Sequence, residues 1–276
     1  MSVRRLLETA TTTLEAAGVA SPRNDAEMLL SHVTGVPRSL LVLTARPNDT
    51  QRTIFDDMIA ARARRVPLQH MTGTAGFRYV DVEVGPGVFI PRPETELLAG
   101  WAIEQLSGKP DPIVVELCAG SGAISLAIVS EAPHSHVCAV ELDERAFGWA
   151  QINLEGTGVD LRLGDMADAF ADLDGQVDVV VANPPYIPLE AWESVAQEVR
   201  DHDPALALWS GEDGLDAMRV VEQVAWRLLK SGGVLGAEHA DVQAESAPAV
   251  FRDRFENVTD HLDLAEKPRF VTAMKP

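Results

Sequence analysis

From residue 113 onward the chain alternates short apolar runs with segments of helical periodicity, and this alternation restricts the fold more than any other feature. The apolar runs are rich in β-branched residues and occupy positions 113–117, 136–140, 161–163, 177–182 and 234–237. Strands separated by helices pair in parallel, and parallel strands covered on both faces are nearly continuously apolar. We therefore predict an α/β fold with a mostly parallel sheet. The segments 258–264 and 269–274 predict an antiparallel pair that closes it.

The first 75 residues differ, because their apolar residues follow helical spacing throughout. We predict a small helical module, and on one of its helices we expect Ile54, Met58 and Ile59 to face inward. The module lacks an obvious cluster of catalytic side chains. It serves either to recognise a partner or as a structural cap.

The alternating residues 77–84 predict one arm of a β-hairpin, which turns at 85–87 and returns through 88–90. A hairpin between a helical segment and an α/β segment is a natural linker. The predicted division of the chain is a helical domain at 1–75, a hairpin linker at 76–95 and an α/β domain at 96–276.

Charge is unevenly distributed along the chain. The formal net charge is −19, and residues 1–75 hold nine arginines against seven acidic residues, which gives +2. The remaining 14 basic and 35 acidic residues give residues 76–276 a charge of −21. Such a domain repels a phosphate backbone and attracts a basic protein surface, although acidity also aids solubility. We therefore expect no nucleic-acid partner.

Other features of composition concern the compartment. No apolar run approaches the roughly 20 residues of a membrane span, and no signal-peptide core follows the first two arginines. Cys118 and Cys138 lie in apolar, strand-like contexts, which favours reduced thiols. The seven histidines are scattered. We expect a cytoplasmic monomer without a membrane or metal partner.

The tetrapeptide Asn183-Pro184-Pro185-Tyr186 directly follows the apolar run at 177–182. In an open α/β sheet, ligands bind beyond the carboxyl ends of the strands. The two prolines lack N–H donors and stiffen the backbone, so their carbonyls remain as acceptors beside the Asn183 side-chain oxygen. Two such acceptors suit a planar NH2 group, on which Tyr186 stacks. The alternative is an ordinary loop with a surface tyrosine.

A second loop, Cys118-Ala119-Gly120-Ser121-Gly122, connects the first strand of the alternation to a helix. Small residues allow the backbone to approach a ligand closely at a helix N-terminus. Cys118 takes the place of the first glycine of a full dinucleotide fingerprint, so the loop alone is weak evidence for a cofactor.

Three further residues, which lie at the ends of the next two strands, strengthen the prediction of a cofactor site. Glu141 ends the second strand and is placed to accept both hydroxyls of a ribose. Asp165 and Met166 follow the third strand, where they suit an adenine amine and an adenine ring. Asp165 alternatively caps the following turn. The spacing does not distinguish NAD from S-adenosylmethionine.

Together these motifs resemble one family. The loop at 115–122 and the Asn-Pro-Pro-Tyr tetrapeptide are similar to those of class I S-adenosylmethionine-dependent methyltransferases that act on a planar nitrogen. Four further stretches resemble the peptide chain release factor N5-glutamine methyltransferases (PrmC/HemK family): PLQHMTG at 67–73, FIPRPETE at 89–96, EDGL at 212–215 and KPRF at 267–270. The likeness covers nearly the whole chain. The tetrapeptide itself is shared with DNA and RNA enzymes, so methylation of adenine or cytosine is the alternative.

The resemblance implies a Rossmann-like, mostly parallel seven-stranded sheet and S-adenosylmethionine as cofactor. It implies class I peptide chain release factors as partners, methylated on the glutamine of a Gly-Gly-Gln motif. The implied cofactor residues are Cys118, Ala119, Gly120, Ser121, Gly122, Glu141, Asp165, Met166 and Asn183. The implied substrate residues are Asn183, Pro184, Pro185 and Tyr186, of which Asn183, Pro184 and Tyr186 are catalytic. Cys118, Glu141 and Met166 depart from the residue types common in the family.

Overall fold

The structure is a computed structural model that describes residues 2–276, which fall into two compact units. One unit comprises the residues up to 74 together with residues 196–202, and it is helical. The other comprises residues 75–195 and 203–276 and contains the main sheet. Each unit has its own hydrophobic core.

The regular elements are as follows in chain order. The helices are α1 (Val3–Ala16), α2 (Pro22–Thr34), α3 (Leu41–Thr44), α4 (Asp49–Ala63), α5 (Leu68–Thr72), α6 (Thr95–Leu106), α7 (Ala123–Glu131), α8 (Glu144–Leu154), α9 (Gln197–His202), α10 (Asp216–Leu228) and α11 (Ser246–Phe251). The strands are β1 (Thr74–Phe77), β2 (Val80–Glu83), β3 (Ile113–Leu117), β4 (His136–Glu141), β5 (Asp160–Leu163), β6 (Val177–Ala182), β7 (Leu229–Glu238), β8 (Glu256–Leu262) and β9 (Pro268–Met274).

Helix α4 illustrates how the helical unit forms. A capping box starts it, because the Asn48 side chain accepts from the Gln51 N–H while the Gln51 side chain accepts from the Asn48 N–H. Phe55 and Ile59 are buried in the core of the unit, but Ile54 is 46% exposed. The prediction that Ile54 faces inward was wrong. Successive helical residues point roughly 100° apart, and the aromatic neighbour Phe55 occupies the inward position instead.

The sheet of the larger unit has the strand order β5-β4-β3-β6-β7-β9-β8. The first five strands are parallel, and β9 pairs antiparallel with both β7 and β8. The predicted mostly parallel, seven-stranded sheet is confirmed. Strand order reverses between β3 and β6, where Leu117 pairs with Ala182. Such a switch point opens a crevice at the carboxyl ends of the strands.

The hairpin differs from its prediction. Strands β1 and β2 form a two-stranded sheet and are separated by Arg78 and Tyr79, so the chain reverses there and not at 85–87. Arg78 has φ +50°, and its guanidinium donates to both carboxylate oxygens of Glu131 at 2.6 and 2.7 Å. This tertiary ion pair holds a turn that carries no local glycine signal. Residues of the hairpin pack in one core cluster with α6 and α7.

Strand β7 also begins earlier than predicted. Leu229 already pairs with Val177, and the register then shifts before Val234 pairs with Val179. Gly232 and Gly233 therefore lie in an irregular stretch of the strand, before the predicted apolar run at 234–237. Within residues 2–276, no helix is both long and apolar enough to cross a membrane.

Candidate active site

The loops singled out by the sequence meet at one edge of the sheet, here called the carboxyl edge, where the five parallel strands end. The register places Leu117 beside Ala182, so the loop that begins at Cys118 and the tetrapeptide that begins at Asn183 leave the sheet side by side. The carboxyl end of β4 lies on the other side of β3, and its last residue is Glu141. The carboxyl edge therefore gathers the predicted cofactor and substrate residues around the switch point.

The loop at 118–122 contains three residues with positive φ: Cys118 at 59°, Gly120 at 58° and Gly122 at 78°. A Cβ on Gly120 would meet no heavy atom within 4 Å, so the loop faces open space at this position. A Cβ on Gly122 would come within 3.0 Å of Leu154, because the loop packs closely on α8 there. The loop is thus open towards a ligand on one side and tightly packed on the other.

A buried carboxylate completes the start of α7. Gly122 is the N-cap residue and has no side chain to offer, but Glu116 of β3 accepts from the Ser125 N–H at 2.9 Å and from the Ser125 hydroxyl. Glu116 is only 1% exposed, and burial raises its pKa to about 8, while the bonds from Ser125 oppose that rise. The sequence analysis did not single out this residue, although an acidic residue inside an apolar strand is itself a signal.

Glu141 ties the loop to the end of β4. Its Oε2 accepts from the Gly120 N–H at 2.7 Å, and its Oε1 accepts from the N–H groups of Leu142 and Asp143, each at 2.8 Å. A carboxylate offers about four acceptor positions, so one remains, on Oε2. Burial raises the pKa of Glu141, and the three backbone donors oppose this. In this geometry one further hydroxyl fits directly, and a second requires Glu141 to release a backbone donor.

The third strand contributes Asp165 and Met166. The Met166 Sδ lies 3.6 Å from the Cys118 Sγ, which joins the end of β5 to the loop. Asp165 is exposed, and its Oδ1 accepts from the Ala167 N–H at 2.9 Å, as expected for a residue that caps the following turn. The same carboxylate keeps a second oxygen for another donor.

The electrostatics of the loop favour a cation. Burial raises the pKa of Cys118, and the negative charges of Glu141, Glu116 and Asp165 raise it further, so the thiol stays neutral. The carboxylates of Glu141 and Asp165 attract a positively charged ligand, whereas Glu116, with its pKa raised to about 8, is mostly protonated at neutral pH. Leu142, which directly follows Glu141, is 51% exposed and offers an apolar surface beside these charges. Leu142 is thus a further candidate for the site, and it lies outside the motifs that the sequence singled out.

Side-chain contacts at the tetrapeptide involve two residues that the sequence analysis did not assign. The Asn183 Nδ2 donates to the Thr95 Oγ1 at 3.3 Å, and that hydroxyl donates to the Glu238 Oε2 at 2.6 Å. The Tyr186 hydroxyl donates to the Glu238 Oε1 at 3.1 Å. Thr95 opens α6 and Glu238 ends β7, so three distant segments converge on one carboxylate. One indication of this arrangement was present in the sequence, because the acidic residue Glu238 directly follows the predicted strand at 234–237.

The backbone after the tetrapeptide is braced from behind. The Gln243 Nε2 donates to the Tyr186 carbonyl at 3.1 Å and to the Asp213 carbonyl at 3.3 Å. A Cβ on Gly214, which has φ +76°, would come within 2.4 Å of the Tyr186 carbonyl. The Glu-Asp-Gly-Leu turn therefore requires glycine for close packing against the tetrapeptide. Pro184 is buried, whereas Asn183, Pro185 and Tyr186 are half-buried.

Comparisons with known proteins agree with this geometry. The models of the PrmC N-terminal domain and of the methyltransferase small domain match residues 5–73 and 80–202. A release factor glutamine methyltransferase of Streptomyces coelicolor is 53% identical over 96% of this chain and 95% of its own length. The chain belongs to the release factor glutamine methyltransferase family. The resemblance inferred from the motifs is thereby confirmed.

Two further relatives match nearly the whole chain. The release factor glutamine methyltransferase of Mycolicibacterium smegmatis is 46% identical over 99% of this chain and 98% of its own length. A 4-amino-L-phenylalanine/4-methylamino-L-phenylalanine methyltransferase of Streptomyces pristinaespiralis is 40% identical over 91% of this chain and 87% of its own length. Relatives at this distance therefore include one whose name specifies a small aromatic amine.

S-adenosylmethionine is the methyl donor of this methyltransferase class, and the residues present fit it. The cofactor carries a sulfonium and an ammonium group, which suit the carboxylates of Glu141 and Asp165 near Cys118. Its ribose hydroxyls suit the remaining acceptor position of Glu141. The open space at Gly120 leaves the loop accessible, and exposed Leu142 suits a flat ring.

We expect Gly120→Ala to weaken cofactor binding. The added Cβ enters the open side of the loop, and a left-handed alanine also costs about 1 kcal/mol of stability. The dissociation constant for S-adenosylmethionine, measured by calorimetry, is expected to rise at least tenfold. The matched control is Gly175→Ala, since Gly175 has φ +70°, has no heavy atom within 4 Å of a built Cβ, and precedes β6 at the opposite edge. Equal cofactor affinity in the two variants would contradict this assignment of the loop.

We expect Glu116→Gln to flatten the dependence of stability on pH. The folded-state pKa of Glu116 is raised to about 8, above the ordinary value of 4.5. The contribution of Glu116 to the free energy of unfolding is therefore largest below pH 4.5. That contribution is lost as pH rises from about 4.5 to about 8. A neutral glutamine keeps an acceptor for Ser125 and does not titrate.

The melting temperature of the wild type should therefore fall more than that of Glu116→Gln between pH 5 and pH 9. Glu104→Gln, at an exposed position of α6, serves as the control and should follow the wild type. Parallel pH profiles for Glu116→Gln and the wild type would refute the raised pKa.

Proposed function

We propose that this chain transfers a methyl group from S-adenosylmethionine to the side-chain amide nitrogen of the glutamine in the Gly-Gly-Gln motif of class I peptide chain release factors. One observation carries the proposal: the chain belongs to the release factor glutamine methyltransferase family over nearly its full length, with Asn183 beside the cofactor loop. The sequence motifs and the geometry of the carboxyl edge support the same reaction.

The chemistry required of the protein is positioning and charge stabilisation. An amide nitrogen is a weak nucleophile, because its lone pair is delocalised into the carbonyl group. When bound, S-adenosylmethionine supplies a methyl group on a sulfonium centre, which a correctly held nitrogen attacks in line. The nitrogen gains the methyl group as the sulfur–carbon bond breaks, and it then loses one proton to solvent. No general base is required before the attack.

Within this proposal the Asn183 side-chain oxygen and the Pro184 carbonyl oxygen accept hydrogen bonds from the two N–H groups of the substrate amide. The carbonyl dipoles of both residues stabilise the positive charge that develops on the nitrogen during attack. Tyr186 stacks on the amide plane, and Pro185 stiffens the backbone between them. When the nitrogen is held in line with the methyl group, the entropy cost of bringing the two reactants together has already been met on binding. This positioning supplies much of the rate acceleration.

The cofactor residues proposed are those of the loop and of the neighbouring strand ends. They are Cys118, Ala119, Gly120, Ser121, Gly122, Glu141, Asp165 and Met166, together with Asn183. Contacts between Cys118 and Met166 and between Gly120 and Glu141 support a single site formed by these residues. Asp165 is the most exposed of the carboxylates in this group and bonds to a local N–H, so its role rests on the sequence alone.

The partner is proposed to dock through a basic surface. Residues 76–276 carry −21, which favours a positively charged protein and disfavours DNA or RNA. The helical domain at 1–75 is proposed to recognise the release factor, and the hairpin at 76–95 to link it to the catalytic domain at 96–276. We also propose that the protein is cytoplasmic and monomeric. The free thiols of Cys118 and Cys138 suit a reducing compartment.

The first prediction of this proposal concerns the acceptor. Labelled methyl is expected to pass from S-adenosylmethionine to a purified, unmodified class I release factor, and not to the same factor with its motif glutamine changed to alanine. DNA, RNA and 4-amino-L-phenylalanine serve as parallel acceptors, the last because of the relative from Streptomyces pristinaespiralis. Transfer to one of these and none to the release factor would reject the proposed substrate.

A second prediction concerns Asn183 as the residue that holds the substrate amide. Asn183→Ala should retain cofactor binding, because the loop at 118–122 is unchanged, with at most a small loss of affinity from the Asn183 side chain. It should lose at least a hundredfold in turnover, since a positioned acceptor is removed. Turnover is measured with the release factor, and affinity by calorimetry. Retention of most of the turnover would mean that Asn183 does not hold the substrate amide.

A further inference from the structure

The contacts of Asn183 reveal how its side chain is oriented. Asn183 donates through Nδ2 to Thr95, and Thr95 donates to Glu238, with distances of 3.3 and 2.6 Å. Thr95 is 4% exposed and Glu238 is 1% exposed, so water does not compete for these groups. The three residues come from the start of α6, the end of β6 and the end of β7.

The direction of this chain of bonds follows from the single proton of a hydroxyl. A carboxylate only accepts, so the Thr95 proton points to Glu238. The Thr95 oxygen then presents lone pairs to Asn183 and accepts from it. Asn183 must therefore turn its NH2 group to Thr95, and its Oδ1 is directed away from Thr95.

Several groups hold the Glu238 carboxylate. The Thr95 and Tyr186 hydroxyls donate to its two oxygens, and the charge of Arg269 acts on it, while Glu94 opposes. Arg269 is fixed in turn by Asp263, with their closest atoms 2.9 Å apart. Burial raises the pKa of Glu238, and the two hydroxyls and Arg269 counteract it.

We propose that Thr95, anchored by Glu238, is a positioning residue that fixes the Asn183 amide so that Oδ1, and not Nδ2, meets the acceptor nitrogen. This inference rests on the proposed function and assigns roles to two residues that act through Asn183. An amide turned by 180° would present N–H groups to the N–H groups of the substrate, which repel. Thr95 and Glu238 therefore select acceptors that carry N–H donors.

The test uses Thr95→Val, which keeps the shape of the side chain and removes the hydroxyl, beside Thr95→Ser, which restores it. Without the hydroxyl, Asn183 loses its hydrogen bond to Thr95 and populates both orientations. We expect kcat to fall on the order of tenfold or more in Thr95→Val, with cofactor affinity within twofold of the wild type. Thr95→Ser should recover most of the lost kcat.

Two controls separate positioning from a structural role. Thr272→Val removes another buried hydroxyl, one that bonds the His261 Nε2 at 2.8 Å on the far strands, and should leave kcat unchanged at a comparable melting temperature. In an Asn183→Ala background, Thr95→Val should cost nothing further in single-turnover methyl transfer, because the threonine acts only through Asn183.

The outcomes distinguish this inference from the proposed function. If the wild type methylates the release factor and Thr95→Val keeps its kcat, or if serine and valine behave alike, the positioning role is rejected and the function stands. If the wild type methylates another acceptor instead, the proposed substrate is rejected. The kcat of Thr95→Val relative to that of Thr95→Ser on that acceptor then still decides the role of Thr95.

Discussion

The parallel pairing of β3 with β6 is the constraint on which the site depends. Only this register places the residue after Leu117 beside the residue after Ala182, and thus the cofactor loop beside the tetrapeptide. Both strands are buried on both faces, so a slip by one residue would exchange their side chains between the two core clusters and disrupt the packing of each. The chemistry is therefore aligned by hydrophobic packing several residues away from it.

Buried carboxylates recur at the carboxyl edge, and each is satisfied in a different way. Glu116 receives donors from the first turn of a helix, Glu141 from three backbone N–H groups, and Glu238 from two hydroxyls. Hydrogen bonds make such burial tolerable and fix the groups that donate. Glu116 fixes the start of α7, whereas within the proposed function Glu141 lies on the cofactor side and Glu238 on the substrate side.

The sequence predicted the sheet, its loops and the family, because strand ends and loop residues lie close together in the chain. It placed Cys118 to Gly122 and Asn183 to Tyr186 correctly at one edge, since parallel strands share that edge. It failed where tertiary contacts override local pattern: an ion pair to Glu131 sets the turn at Arg78, and Phe55 displaces Ile54. The motif at 89–96 contains Thr95, but its role could not be predicted, because the residues it contacts lie 88 and 143 residues away.

The grouping of residues 196–202 with the helical unit has a consequence for synthesis of the protein. Within that unit the Arg62 guanidinium contacts both Asp25, at 2.8 Å, and Glu198 of α9, at 3.0 Å. The unit is therefore discontinuous in sequence. On the ribosome, its first 74 residues emerge long before the segment that completes them. The helical unit reaches its final form only after residues 75–195, which include strands β3 to β6 of the sheet, have been made.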